Sequence, residues 1–174
     1  MEPLSRHDKT LLNKISNRFQ GIKCKPLGKE LFEFCSSIVP VLNVDVLLVN
    51  SEGRYLLTWR DDDFYGPGWH VPGGVVRHKE TLENRVKQVV KTECGYDKFF
   101  ELQAYPDLVQ EIFSEERCVR GHFISLLYTL RGIDDSVSGS LTGPGRQFFS
   151  EVPQNLIVQH QQLYKSYLNE NFNS

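Results

Sequence analysis

Residues 73–96 read GGVVRHKETLENRVKQVVKTECGY, and their types and spacing suit phosphate and metal chemistry. Gly73 and Gly74 allow close backbone approach and offer carbonyl and N–H groups near a helix start, where an anion or a metal-bound phosphate can sit. Glu80 follows, and the segment closes on Glu93, Cys94 and Gly95. A frame of this kind ordinarily carries several carboxylates, yet its middle reads Gln88, Val89, Val90, Lys91, Thr92. Thr81 is a suitable N-cap and Gly95 a suitable C′ residue, which predicts a helix over 81–94. On that helix Leu82, Val86, Val89 and Val90 fall within an arc of about 100° that faces the core. Glu93 falls inside the same arc, where an acid needs a cation, a metal ion or strong donors; the alternative is a frayed last turn with Glu93 in solvent.

Other candidates stand ahead of this segment. In VLNVDVLLVN, period-2 alternation puts Leu42, Val44, Val46 and Leu48 on one face and Asn43, Asp45, Leu47 and Val49 on the other. Asp45 in so apolar a strand is an active-site acid or a hydrogen-bonded structural one. Arg60 ends the next strand beside a loop through which substrate could enter, with a solvated strand end as the alternative. Arg77, His78 and Lys79 follow the glycines and are candidate phosphate contacts. Trp59, Tyr65 and Trp69 are candidates to stack on a base or sugar, or else pack the hairpin. Asp61, Asp62 and Asp63 read as a solvated turn rather than a metal cluster. His70 and His122 read as structural histidines.

The elements that must position these residues are legible in outline. Leu11, Leu12, Ile15 and Phe19 mark a short amphipathic helix over 8–20, followed by a Gly- and Pro-bearing linker and a second short helix at about 29–35. From residue 38 the pattern becomes β-rich, with a hairpin turning at Ser51-Glu52-Gly53. Further strands are predicted at about 69–71, 99–104, 109–113, 118–131 and 146–149, and a closing helix over 153–170. The mixture predicts an α/β sandwich around a mixed sheet. The division is an N-terminal helical extension at 1–26 and one domain over 27–174.

Composition narrows the partners. The net charge of −2 leaves no global positive field, so nucleic acid is not expected as a partner. No apolar run approaches the length of a membrane span and the N-terminus is polar, which predicts no membrane association and a cytoplasmic protein. Cys24, Cys35, Cys94 and Cys118 are scattered singly, as free thiols are in a reducing compartment.

The 73–96 segment resembles the Nudix box, G-x5-E-x7-R-E-U-x-E-E-x-G-U with U aliphatic. Gly74, Glu80, Val90, Glu93 and Gly95 match it, whereas Gln88, Val89 and Thr92 depart at the arginine and two of the glutamates, and Tyr96 replaces the final aliphatic. The resemblance covers roughly residues 38–168 and implies a Nudix-type α/β/α sandwich and divalent-metal hydrolysis of a nucleoside diphosphate linked to another group. Within the family the chain is similar to the GDP-mannose mannosyl hydrolases, from about Leu27 through VPVLNVDVLLVNSEGRYLLTWR and YGPGWHVPGG to KETLE. That branch uses one magnesium ion and breaks the sugar C–O bond. The likeness implies that Glu93 and the Gly73 carbonyl bind Mg2+, that Arg60 stabilises the leaving diphosphate, that Asp45 lies in the active site, and that the protein is a homodimer. The branch carries an arginine where this chain has Val75, and a late-loop glutamine and histidine where this chain has SLTGPGRQFF; Gln147 is the one candidate ligand there. The expected activity is magnesium-dependent hydrolysis of a nucleoside-diphosphate sugar. The alternatives are P–O cleavage of another nucleotide with acids such as Glu111, Glu115 or Glu116, and a nucleotide-binding domain with weak catalysis.

Overall fold

The computed structural model describes residues 3–21, 23–62, 64–117, 119–133 and 141–172. Asp63 and Cys118, the latter the first residue of the strand expected at 118–131, lie outside them. The chain order is α1 (Arg6–Phe19), α2 (Lys29–Ile38), β1 (Val41–Asn50), β2 (Tyr55–Arg60), β3 (Gly68–His70), β4 (Gly73–Val75), α3 (Leu82–Thr92), β5 (Leu108–Phe113), β6 (His122–Ile133), β7 (Arg146–Phe149) and α4 (Val158–Phe172).

The alternation in β1 organises the molecule. Val44, Val46 and Leu48 pack in one cluster with Val86, Val89 and Val90 of α3. Leu47 and Val49 pack in the other with Leu163, Tyr164 and Leu168 of α4. One helix therefore lies on each face of a mixed sheet, as an α/β/α sandwich requires. Spatial order is β3-β2-β1-β6-β5, with β4 on β1 and β7 on β2. The β1–β6 pair is parallel and the other pairs are antiparallel.

The hairpin differs from expectation in a way that matters for the site. β1 and β2 share a ladder position only at Val49↔Tyr55, beside the turn. Beyond it they splay, and the chain returning from β2 fills the gap: β3 pairs with β2, then β4 crosses to pair with β1 at Asp45↔Gly73 and Asn43↔Val75. Two further expectations fail. Residues 99–104 form no strand; Phe100 and Leu102 instead lay side chains against the α3-side core. The closing helix starts at Val158, not 153. The N-terminal helix forms, capped by Ser5, but buries none of its residues.

Candidate active site

Asp45 is almost fully buried on β1. Its carboxylate accepts hydrogen bonds from Asn43 Nδ2 (2.7 Å), Ser125 Oγ of β6 and the Tyr164 hydroxyl of α4. Burial disfavours the ionised form, and these donors offset only part of that effect, so its pKa is pushed up to about 6.

Gly73 is fixed opposite this acid by the ladder. The Val46 N–H donates to Pro72 O and the Val76 N–H to Leu42 O. Hydrogen-bonded pairs alternate with non-bonded ones in an antiparallel ladder, so Asp45↔Gly73 is a non-bonded pair and the Gly73 carbonyl points away from β1. A Cβ at Gly73 would lie 1.8 Å from Asp45 Oδ1. Only glycine fits there, and its outward carbonyl remains free for a ligand.

Two hollows of about 210 and 380 Å³ meet at this point, with Gly73, Gly74 and Val75 as their common wall. The first is lined by Asn43, Asp45, Arg60, Tyr65, His70, Arg120 and His160 among others. The second is lined by Arg77, Arg85, Val89, Thr92 and Glu93 among others. Residues distant in sequence thus converge on the splay between β1 and β2.

The sequence profile of the NUDIX domain matches residues 39–169. The chain belongs to the Nudix family. It is 25% identical over 142 residues, 80% of each chain, to a protein of Methanocaldococcus jannaschii named ADP-ribose pyrophosphatase. It is 39% identical over 59 residues to the low-salt glycan biosynthesis protein Agl8 of Haloferax volcanii, covering 34% of this chain and 37% of that one. The fold is shared with a MutT/Nudix protein from Listeria innocua (TM-score 0.54, 19% identity, 78% of this chain and 94% of that one). A MutT Nudix hydrolase from Burkholderia pseudomallei shares it too (TM-score 0.51, 18% identity, 76% and 98%).

The Nudix helix α3 explains how the thinned box still folds. Thr81 caps it by accepting from the Asn84 N–H (3.2 Å), and Gly95 takes a left-handed φ of 75° just past its end. Glu80, whose Oε2 accepts the Arg77 N–H at 2.9 Å, forms a buried ion pair with Arg85 Nε at 3.6 Å. Arg85 lies one turn before Gln88 on the same helical face. It supplies Glu80 with the cation that position 88, a glutamine, lacks.

Glu93 corrects an expectation. Helix α3 ends at Thr92, and Glu93, the C-cap residue, keeps right-handed helical backbone angles with its N–H on Val89 O but is exposed rather than buried on the apolar arc. It remains at the rim of the second hollow, where surrounding protein atoms raise its pKa while the charges of Arg60 and Arg85 act to lower it.

Arg60 lines the first hollow, pairs with Asp62 and stacks over Tyr65 with its guanidinium carbon 4.6 Å from the ring centroid. Its field is felt by Asp45, Glu93, His70 and His160. Of the other expected substrate contacts, Tyr65 lines the first hollow and Arg77 the second; one Arg77 guanidinium nitrogen donates to Cys24 O at 3.2 Å. Trp69 does neither. It stands edge-on between Trp59 (5.3 Å) and Phe149 (5.0 Å), and this aromatic packing across β2, β3 and β7 is its role in the fold.

Alternative acids do not reach the cleft. Glu111 pairs with His122 at 2.8 Å on the exposed β5–β6 surface, and Glu115 and Glu116 are exposed on the following turn. Gln147 is exposed on β7 and lines neither hollow. Among the described residues no group of three or more His, Cys, Asp or Glu side chains is arranged to hold a metal. A Mg2+ ion needs less, since it commonly binds through one or two carboxylates and completes its shell with water and substrate phosphate. Glu93 and the outward Gly73 carbonyl fit that requirement.

His70, which reads as structural in the sequence, and His160, which the sequence does not single out, both line the first hollow. The His70 Nδ1–H donates to Thr58 O (2.8 Å), and His160 Nδ1 accepts the Val71 N–H (2.9 Å). These partners fix opposite tautomers. Burial lowers both pKa values, that of His70 to about 4, so both rings are neutral at pH 7.

Proposed function

We propose that this Nudix protein is a magnesium-dependent hydrolase of nucleoside-diphosphate sugars of the GDP-mannose kind, releasing free sugar and a nucleoside diphosphate. The observation that carries the reading is the α3 face at Val89, Thr92 and Glu93, which offers one carboxylate to the cleft. A single ion held by Glu93 and the Gly73 carbonyl would neutralise charge on a departing diphosphate. Stabilising both the attacking and the leaving oxygen of a displacement at phosphorus is the work of a two-metal site. Attack at the sugar carbon needs mainly leaving-group stabilisation, and Arg60 supplies a second positive charge for it. Asp45, presented on the same wall, orients the reacting end. The 59-residue likeness to a protein named for glycan biosynthesis supports a sugar-bearing substrate. The reading includes a homodimer, for which the unburied apolar side of α1 offers a surface, and a cytoplasmic setting that keeps Cys24, Cys35 and Cys94 as free thiols.

A second reading, P–O cleavage, is favoured by the relative named ADP-ribose pyrophosphatase. Hydrolysis in ¹⁸O-water with Mg2+ and a panel of nucleoside-diphosphate sugars separates the two. Label in the free sugar is the expected outcome. Label in phosphate establishes P–O cleavage, and binding without turnover identifies a nucleotide sensor.

A further inference from the structure

Arg120 belongs to no part of the box or the hairpin, yet it lines the same hollow as Asp45, Arg60 and Gly73. It sits in the β5–β6 loop at a φ of 55°, a left-handed conformation that a long side chain adopts only where its surroundings hold it. The backbone holds it: the Arg120 N–H donates to the Oγ of buried Ser36 in α2 at 3.3 Å. The side chain is held as well. Its guanidinium carbon lies 4.9 Å from the Phe64 ring centroid, 5.0 Å from Tyr65, 5.3 Å from Phe32 and 5.7 Å from Phe123.

Such an aromatic box favours a cation without neutralising it. Nε of Arg120 is buried with no hydrogen-bond partner, and among the described residues no carboxylate pairs with this guanidinium. Arg60 is stacked on the same Tyr65 ring, 4.6 Å from its centroid, and among the described residues its ion-pair partner is the exposed Asp62. Two like charges facing one cavity oppose each other: burial and the Arg60 charge work against Arg120 remaining ionised, and the interaction and hydrogen bond with Tyr65 and the charge of Asp62 offset them only in part. A guanidinium does not deprotonate in this range, so an entering anion is what relieves the arrangement.

We propose that Arg120 is a diphosphate-binding residue, which together with Arg60 clamps the two phosphates of a nucleoside diphosphate in the first hollow. Each planar fork suits one phosphate, and two forks on a shared ring present a fixed pair of anion contacts. The identity of the anion rests on the nucleotide-sugar reading above; the clamp itself rests on the geometry of Arg60, Arg120 and Tyr65.

The test is calorimetric titration of the full chain with inorganic pyrophosphate, comparing wild type, Arg120→Gln and Arg120→Lys. Loss of one charge-assisted contact predicts about tenfold to hundredfold weaker pyrophosphate binding for Arg120→Gln, part of it restored by Arg120→Lys. Affinity for Mg2+ alone stays at the wild-type value. Unchanged pyrophosphate affinity in Arg120→Gln overturns the proposal. Should that variant not fold, phenylglyoxal labelling of the wild-type chain decides: pyrophosphate must shield Arg120 from modification, and full labelling in its presence overturns the clamp. The two readings fail separately. Shielding of Arg120 without turnover of any nucleotide sugar removes the hydrolase and keeps the clamp, whereas sugar release by Arg120→Gln at the wild-type KM does the reverse.

Discussion

A single carboxylate at the end of α3 bears most of the metal chemistry proposed here, and its position is unusual for that task. Periodicity predicts Glu93 on the buried arc, but at the end of the helix, as its C-cap residue, the side chain is exposed at the rim of the second hollow. The change is useful to a ligand site: an acid on the rim can meet an ion without the full penalty of burying an unpaired charge. Val89, which stands where a second box glutamate would be, is buried in the core behind it and offers nothing to the ion. Glu93→Gln keeps shape and removes charge, so Mg2+ affinity measured by titration calorimetry should fall by about tenfold or more. The fold should be unaffected, since Glu93 contributes to neither core cluster. Wild-type affinity in the variant would take Glu93 out of the metal site.

At the scale of elements, the decisive feature is the splay of β1 from β2 and the insertion of β4 into it. Alternation in β1 and the caps of α3 were readable because both depend on neighbours within a few residues. β4 was not readable, because GGV carries neither alternation nor β-branched bulk on most of its length; its partner β1 imposes the strand. Nor was the support of Asp45 readable, since Ser125 and Tyr164 come from 80 and 119 residues away. A lone polar residue in an apolar strand, as Ser125 is between Ile124 and Leu126, is the one local signal that could have found it. The two roles open to Trp69 cannot be separated in sequence, because an aromatic beside a cleft motif and an aromatic in a β-ladder look alike there. The close approach of β4 to β1 has a measurable consequence. In Gly73→Ala the new methyl meets a carboxylate already fixed by three donors, and overpacking of this kind should cost on the order of 3 kcal/mol in urea unfolding. Removing the obstacle in Asp45→Ala should make the second substitution nearly free. Additive effects in that double-mutant cycle would mean the strand can move aside.

Across the whole molecule, the sandwich buries an acid and two histidines around one hollow, and their protons shape the acid stability. His70 in the folded chain refuses a proton until about pH 4, whereas the unfolded chain takes it near its ordinary value of 6.5. Its contribution is therefore complete above pH 6.5 and is lost as pH falls toward 4, by about 3 kcal/mol at one pKa unit per 1.36 kcal/mol. His160 acts in the same direction. Asp45 acts in the opposite one: folded, it accepts a proton near pH 6, and unfolded only near 3.8, so acidification through that window favours the folded state by a similar amount. The wild-type protein, freed of metal, should then still lose stability between pH 6.5 and 4, because the Asp45 term offsets that of His70 and leaves that of His160 uncompensated. Asp45→Asn removes the compensating term. It should be more stable than wild type near pH 7, where the buried charge is absent, and should lose stability more steeply on acidification, the two curves converging toward pH 4. Urea unfolding free energies measured from pH 7 to 4.5 test this, and parallel curves for the two proteins would show that Asp45 titrates as an ordinary exposed carboxylate.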